Sequence, residues 1–367
     1  MSTVRPIEGA DALVRTLRSD DPAAACTAFR DAFARLRTEV GRVLVGQEDV
    51  VAEVLVALFA GGHVLLEGVP GLGKTLLVRT LGDALTLDFT RIQFTPDLMP
   101  ADITGTSIVN EDPATGQRSI TFRPGPIFSQ LVLADEINRA SPKSQAALLE
   151  AMQERSVSAG GETHELERPF FVMATQNPIE QEGTYPLPEA QLDRFLLKVQ
   201  VPYARRDELN EILRRTTTGA DAAASPVLDG EVILAAQELA RRIVIAPTVK
   251  DYIVRLVLAT HPDGEHQPEA LRRTIAVGAS PRAAQALVLV AKVLAMIDGR
   301  YHASISDVVR MARPVLRHRL VRTFEAETDG RSVDDLVDAV LAELPVDPER
   351  GDPLRLIPGA LTGGEGR

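Results

Sequence analysis

The chain contains no tryptophan and a single cysteine, and aromatic residues make up only 4% of its 367 positions. One thiol excludes an internal disulfide and a cysteine-clustered zinc site, and Cys26, on an alanine-rich stretch, reads as a small packing residue. Scarce rings remove a base-stacking platform for single-stranded nucleic acid. Long apolar runs are also missing: the greasy segment from Val43 to Leu58 is broken by Glu48, Asp49 and Glu53, short of the roughly 18 residues a membrane span needs. Asp20 and Asp21 interrupt any signal-peptide core, so the expected compartment is the cytoplasm, with no membrane insertion. Positive charge is lacking too. With a net charge of −11 and basic residues scattered rather than gathered, the chain argues against nucleic acid as its main ligand, although a ring with a basic pore stays open. Of the six histidines, His261 and His266 flank a Pro-Asp-Gly-Glu loop without a third convergent ligand, so no metal site is expected there.

What is present is an ordinary globular composition, 45% apolar, long enough for two or three domains. The first twenty or so residues, to about residue 24, read as a loosely held arm, and Ala23 to Leu44 as an amphipathic helix. From there to residue 202, five short apolar runs (Val64–Leu66, Phe89–Phe94, Leu131–Ala134, Phe170–Ala174 and Phe195–Val201) alternate with helical stretches. That alternation predicts a parallel sheet between layers of helices, an α/β core over 25–202. Beyond Tyr203 the strand signal vanishes, and helical periodicity predicts an all-α lid over 203–344. The proline- and glycine-rich end, 345–367, reads as a disordered tail. Two inserted β-hairpins are expected within the core, at 105–127 around the turn-rich Asn110–Gly116 and at 155–168 around Gly160-Gly161.

Gly68-Val69-Pro70-Gly71-Leu72-Gly73-Lys74-Thr75 satisfies the pattern GxxxxGK[ST], with an apolar strand before it and helical periodicity from Leu76 onward. Free N–H groups at a helix start, reached through a glycine-rich turn, cradle phosphates. Lys74 would neutralise nucleotide β- and γ-phosphate charge, and Thr75 would ligate Mg²⁺ through its hydroxyl. About sixty residues on, Leu131–Ala134 runs into Asp135 and Glu136, two acids at the C-terminal end of a buried strand, where open α/β sheets bind ligands. Asp135 is expected to hold Mg²⁺ through water and Glu136 to take a proton from the attacking water. Asn177, closing the next apolar run, would offer an amide to the γ-phosphate and lytic water. Arg194, just before the fifth run, and Arg282, at a helix start after Pro281, are candidates to stabilise phosphoryl charge.

These residues together resemble an AAA+ ATPase and, through local phrases, the MoxR family. Those phrases are Val45-Gly46-Gln47-Glu48, Ile92–Leu98, Asp102-Ile103-Thr104-Gly105, Asp135–Ala140 and Gly183–Gln191. The resemblance implies ATP and Mg²⁺ as cofactors, with Gly68, Val69, Pro70, Gly71, Leu72, Gly73, Lys74, Thr75 and Leu76 binding the nucleotide as Walker A. It makes Asp135 and Glu136 Walker B, Asn177 sensor 1, Arg194 an arginine finger and Arg282 sensor 2. It also implies Gly46 and Gln47 at the adenine, the two hairpins lining a ring's pore, a homo-oligomer of hexameric form, and tilting of the lid on the core. A von Willebrand factor A domain protein is implied as partner, and a protein client whose complexes are matured, chaperone-fashion or by metal-cofactor insertion. Two other readings stay open: a nucleic-acid motor or GTPase of the same branch, and a nucleotide switch without sustained turnover.

Overall fold

A computed structural model describes residues 7, 9–69, 71–111, 118–178, 183–217, 223–262, 264 and 266–346. Three helices open the chain: α1 (Ala10–Leu17), α2 (Pro22–Val43) and α3 (Glu48–Ala60). Asp21 starts α2 by accepting hydrogen bonds from the N–H groups of Ala23 and Ala24, with Pro22 in the first turn. The expectation of a loose arm is corrected from residue 10 on. Leu17 of α1 is fully buried against α2, and the Arg18 guanidinium meets Glu238 at 2.8 Å, because the helix carries an apolar face of Leu13, Val14 and Leu17.

The core then follows as β1 (Val64–Glu67), α4 (Lys74–Leu85), β2 (Phe89–Gln93), α5 (Pro100–Thr104), the hairpin β3 (Gly105–Glu111) and β4 (Arg118–Pro124), β5 (Leu131–Asp135), α6 (Pro142–Glu154), the hairpin β6 (Ser156–Ala159) and β7 (Glu162–Glu165), β8 (Phe171–Gln176), α7 (Glu189–Leu192) and β9 (Leu197–Gln200). The five predicted strands form one sheet in the order β2-β5-β8-β1-β9, every neighbouring pair parallel. Its central strands are apolar until their C-terminal ends because helices cover both faces. Both hairpins form, and they lie side by side: the ring of Phe122 on β4 stacks on His164 of β7 at 4.0 Å. Gly105 (φ 94°) is needed at the root of the first hairpin, where a Cβ would collide with the Arg123 carbonyl.

The lid comprises α8 (Arg206–Thr217), α9 (Gly230–Arg242), α10 (Pro247–Leu258), α11 (Pro281–Ile297), α12 (Ile305–Leu316), α13 (Phe324–Thr328) and α14 (Val333–Glu343). The all-α expectation needs one amendment: Val244–Ile245 pairs with His302–Ala303, and Ile275–Val277 with Val321–Arg322. Pairs this short carry too little hydrophobic alternation to show in the sequence. One apolar core runs without a break from the β1 and β9 side of the sheet through α2, α3 and α4 into α9, α11, α12 and α14. A second fills the opposite face beneath α6. Past α14, Arg255 holds the carbonyl of Pro345 at 2.8 Å; the rest of the expected tail, 347–367, lies outside the described residues. Among the described residues, no helix is long and apolar enough to cross a membrane.

Candidate active site

Strand β1 delivers the chain to the glycine-rich loop, and the loop closes onto a helix. Gly71 (φ 84°) and Gly73 (φ 76°) both take the left-handed backbone that lets it curl. Gly73 caps α4 without a side chain, so the first N–H groups of that helix face the loop, as an anion site requires. Lys74 folds over the loop and donates to the Gly68 carbonyl at 2.6 Å. Burial lowers its pKa, and the carboxylates of Asp135 and Glu136 counteract that shift, so the ammonium and the two acids share one field. Thr75 and Leu76 follow on the exposed side of the first turn. Pro70 lies outside the described residues. The Gln47 amide donates to the Leu72 carbonyl at 2.8 Å, which seats the Val45–Gln47 turn behind the loop. A Cβ on Gly46 (φ 68°) would fall 2.5 Å from the carboxyl end of Glu208 of α8, which would have to swing aside.

Beside the loop, β5 ends at Asp135, only 8% exposed. Its Oδ1 accepts from the Thr175 hydroxyl on β8 at 2.6 Å, and the same hydroxyl accepts from the Glu136 N–H at 2.8 Å. The other oxygen, Oδ2, pairs with Arg91 of β2 at 2.6 Å. Glu136 turns out of the strand in a left-handed conformation (φ 57°), its Oε2 held by Gln93 at 2.8 Å and Arg139 at 3.0 Å. Asn177 is buried at the end of β8, two residues beyond Thr175. The structure therefore gathers Lys74, Asp135, Glu136 and Asn177 at the C-terminal ends of three adjacent strands. Mg²⁺ would fit this donor set: beside phosphates it keeps several waters and takes one or two protein oxygens, and here the Thr75 hydroxyl would bind it directly and the Asp135 carboxylate through water.

Arg194 and Arg282 are elsewhere. Both line a cavity of about 200 Å³ with Asp193, Gln285 and Arg319. Leu196, two residues after Arg194, donates its N–H to the carbonyl of His63, at the start of β1, whereas the phosphate loop leaves from the end of that strand. The two arginines thus sit at the opposite end of the sheet from their own Lys74, separated by the length of β1, roughly 13 Å at 3.3 Å per residue. Asp193 ties them together, accepting from Ser280 at 2.7 Å and from Arg319 Nε at 2.8 Å, while Ser280 caps the helix that Arg282 opens. Arg319 also donates to the Phe195 carbonyl at 2.7 Å, and His318 bonds the same carbonyl at 3.1 Å. The basic run Arg313–Leu320 is accordingly a helical interface.

Sequence reasoning missed Arg91, Gln93, Thr175 and Asp193. A signal existed for the first two: in the run Phe89–Phe94 they alternate with apolar residues, so they lie on one face of the strand and project together. Asp193 had none, since its partners are 87 and 126 residues away.

A glycine-rich loop after β1, two acids at the end of β5, one strand removed in the same sheet, and a helical lid define a phosphate-loop nucleotide-binding protein of the AAA class. Residues 63–197 match the ATPase family associated with various cellular activities (AAA), and residues 268–340 match the AAA lid domain. The chain belongs to the MoxR family of AAA+ ATPases. It is 45% identical over 303 residues to the protein named Chaperone MoxR1 of Mycobacterium tuberculosis, covering 83% of this chain and 79% of that one. Over 350 residues it is 34% identical to Protein MoxR of Methylorubrum extorquens, covering 90% and 99%. A crystal structure of a candidate ATPase from Cytophaga hutchinsonii superposes with a TM-score of 0.80 at 41% identity, covering 86% and 95%.

Proposed function

We propose that this chain is a Mg²⁺-dependent ATPase acting as a ring, in which each protomer contributes its phosphate loop to one site and Arg194 and Arg282 to its neighbour's. One observation carries the reading: both arginines stand at the end of the sheet opposite their own Lys74, while sharing a cavity rim with each other. An arginine there cannot stabilise its own chain's phosphates but can meet those of an adjoining copy. A ring of six is the form this sharing takes in our reading.

Within one site, the free N–H groups of α4 and the Lys74 ammonium bind the phosphates, and Gly46 and Gln47 meet the base. Thr75 directly and Asp135 through water would hold the metal ion, which would draw charge from the phosphate oxygens. Glu136 accepts a proton from the attacking water, and Asn177 orients that water against the γ-phosphate. The output is mechanical, remodelling of a protein client in the cytoplasm, with the paired hairpins facing it. Exposed Val109 and Ile120, cross-strand partners on the first hairpin, are suited to an apolar segment. A relative's designation as a chaperone supports such a role, and a von Willebrand factor A domain protein is the partner we propose; insertion of a metal cofactor into the client complex is the finer form of the same idea.

The test mixes two inactive proteins. Arg194→Ala should bind ATP normally yet lose roughly a thousandfold or more in turnover. Adding Lys74→Ala, which keeps its arginine, should restore part of the phosphate release. Turnover per subunit that persists unchanged down to a demonstrated monomer, with no rescue in the mixture, would refute the shared site.

A further inference from the structure

Strand β2 has no role in the scheme above, yet its side chains hold both acids of the site. Arg91 and Gln93 lie on one face of the strand, and Gln93 stands in register with Asp135. Two nitrogens of Arg91, Nε and an Nη, donate to a single oxygen, Asp135 Oδ2, at 3.1 and 2.6 Å. The same Nη donates to Gln93 Oε1 at 2.6 Å, and Gln93 in turn donates to Glu136 Oε2 at 2.8 Å. Asp135 Oδ1 is taken by the neutral Thr175 hydroxyl. The nearly buried carboxylate therefore has a full positive charge on the one oxygen that Thr175 leaves, and that charge is linked through one amide to Glu136.

We propose that Arg91 is a positioning residue that sets how strongly the nucleotide site takes up Mg²⁺, while holding Asp135 and Glu136 in fixed relative orientation. The inference rests on the Mg²⁺–ATP reading of the site. A guanidinium and a hydrated divalent cation drawn to one carboxylate repel each other, and half-burial weakens the screening between them. Asp135 alone would attract the ion; with Arg91 on it, uptake depends on the added negative charge of the phosphates. The ion then enters with the nucleotide and not before it. The bridge through Gln93 serves a separate end, since a carboxylate that must accept a proton from water is useful only in one orientation.

Three full-length variants separate the effects. The probe is a fluorescent non-hydrolysable ATP analogue, whose binding is followed as Mg²⁺ is titrated from a chelated start; thermal unfolding reports folding, and phosphate release gives turnover. Arg91→Met should lower the half-saturating Mg²⁺ concentration by on the order of tenfold while reducing turnover at saturating Mg²⁺. Arg91→Lys keeps the charge but cannot span Asp135 and Gln93, so half-saturation should stay near wild type while turnover falls. If Arg91→Met does not fold, Arg91→Gln, polar but uncharged, should give the same shift in Mg²⁺ dependence. A half-saturation that is unmoved or raised in the folded neutral variant overturns the proposal, as does full turnover in Arg91→Lys. Wild-type protein that binds no analogue at any Mg²⁺ concentration would instead sink the ATP reading beneath it.

Discussion

Replacing Thr175 by valine removes one hydroxyl and almost nothing else, yet that hydroxyl is the joint between the two acids. It is fully buried, donates to Asp135 Oδ1 at 2.6 Å and accepts from the Glu136 N–H at 2.8 Å. The first is a hydrogen bond to a charged acceptor, worth about 1.5–3 kcal/mol, and losing the second leaves a backbone donor without its partner, a further cost of about 1–3 kcal/mol. The added methyl of valine returns about 1 kcal/mol of apolar burial. Thr175→Val is thus expected to destabilise the protein by about 1.5–5 kcal/mol and to lower turnover, because Asp135 and Glu136 lose their common anchor. Thr175→Ser keeps the hydroxyl and sheds only a methyl, so it should cost about 1 kcal/mol and retain turnover. Urea unfolding of the three proteins, with phosphate release measured in each, decides the matter. If valine is tolerated as well as serine in both measurements, the hydroxyl is not the joint.

Two further outcomes concern Glu136 and His63, at opposite ends of the sheet. Glu136→Gln should keep nucleotide binding and lose turnover, since an amide cannot accept water's proton; wild-type phosphate release by that variant would remove Glu136 from its role. His63, whose Nε2 bonds the Met152 carbonyl at 3.2 Å and whose Nδ1 accepts from the Val172 N–H at 3.0 Å, is held neutral by burial, its pKa pushed down to about 4. The unfolded chain takes up that proton near pH 6.5 and the folded chain does not, so stability is lost as pH falls from about 6.5 towards 4, by about 2 kcal/mol between pH 7 and 5. Urea titrations at both pH values should show a smaller loss in His63→Gln; equal losses would mean His63 is protonated in the fold.

Much of this was legible in the sequence because it is written locally. The phosphate loop, the strand ending in Asp135-Glu136 and the run ending at Asn177 each place their chemistry within a few residues of an apolar strand, and buried parallel strands announce themselves as uninterrupted apolar runs. Both hairpins showed through their turn residues. What stayed hidden depends on partners distant along the chain. Leu17 is buried because α1 meets α2 and α9, and nothing near residue 17 encodes α9. Arg319 is a buried charge, and only the fold brings Asp193 to it. The placement of Arg282 beside Arg194 was equally illegible, since Ser280 and Asp193 are joined across 87 residues.

The packing of the lid also bears on where motion can arise. Tilting of the lid on the core requires an interface that can slide, and here the apolar core passes continuously from the sheet into α9, α11, α12 and α14. Opening such a surface exposes side chains worth about 1.5–3 kcal/mol each, a large toll against the total stability of a protein domain. Polar contacts lock the same joint at its edge: Arg317 reaches the Lys198 carbonyl of β9 at 3.1 Å while paired with Asp334 at 2.9 Å, and Arg319 is bound to the segment bearing Arg194. Helix α8 is the exception. It has no buried residue and exposes Leu209 and Leu213, yet its Glu208 lies against Gly46 behind the phosphate loop. In the ring we propose, the arginine rim and most of the lid therefore travel with the sheet as one body. The compliant joints are then α8 and the boundary between subunits, where a neighbour's Arg194 and Arg282 meet the bound phosphates.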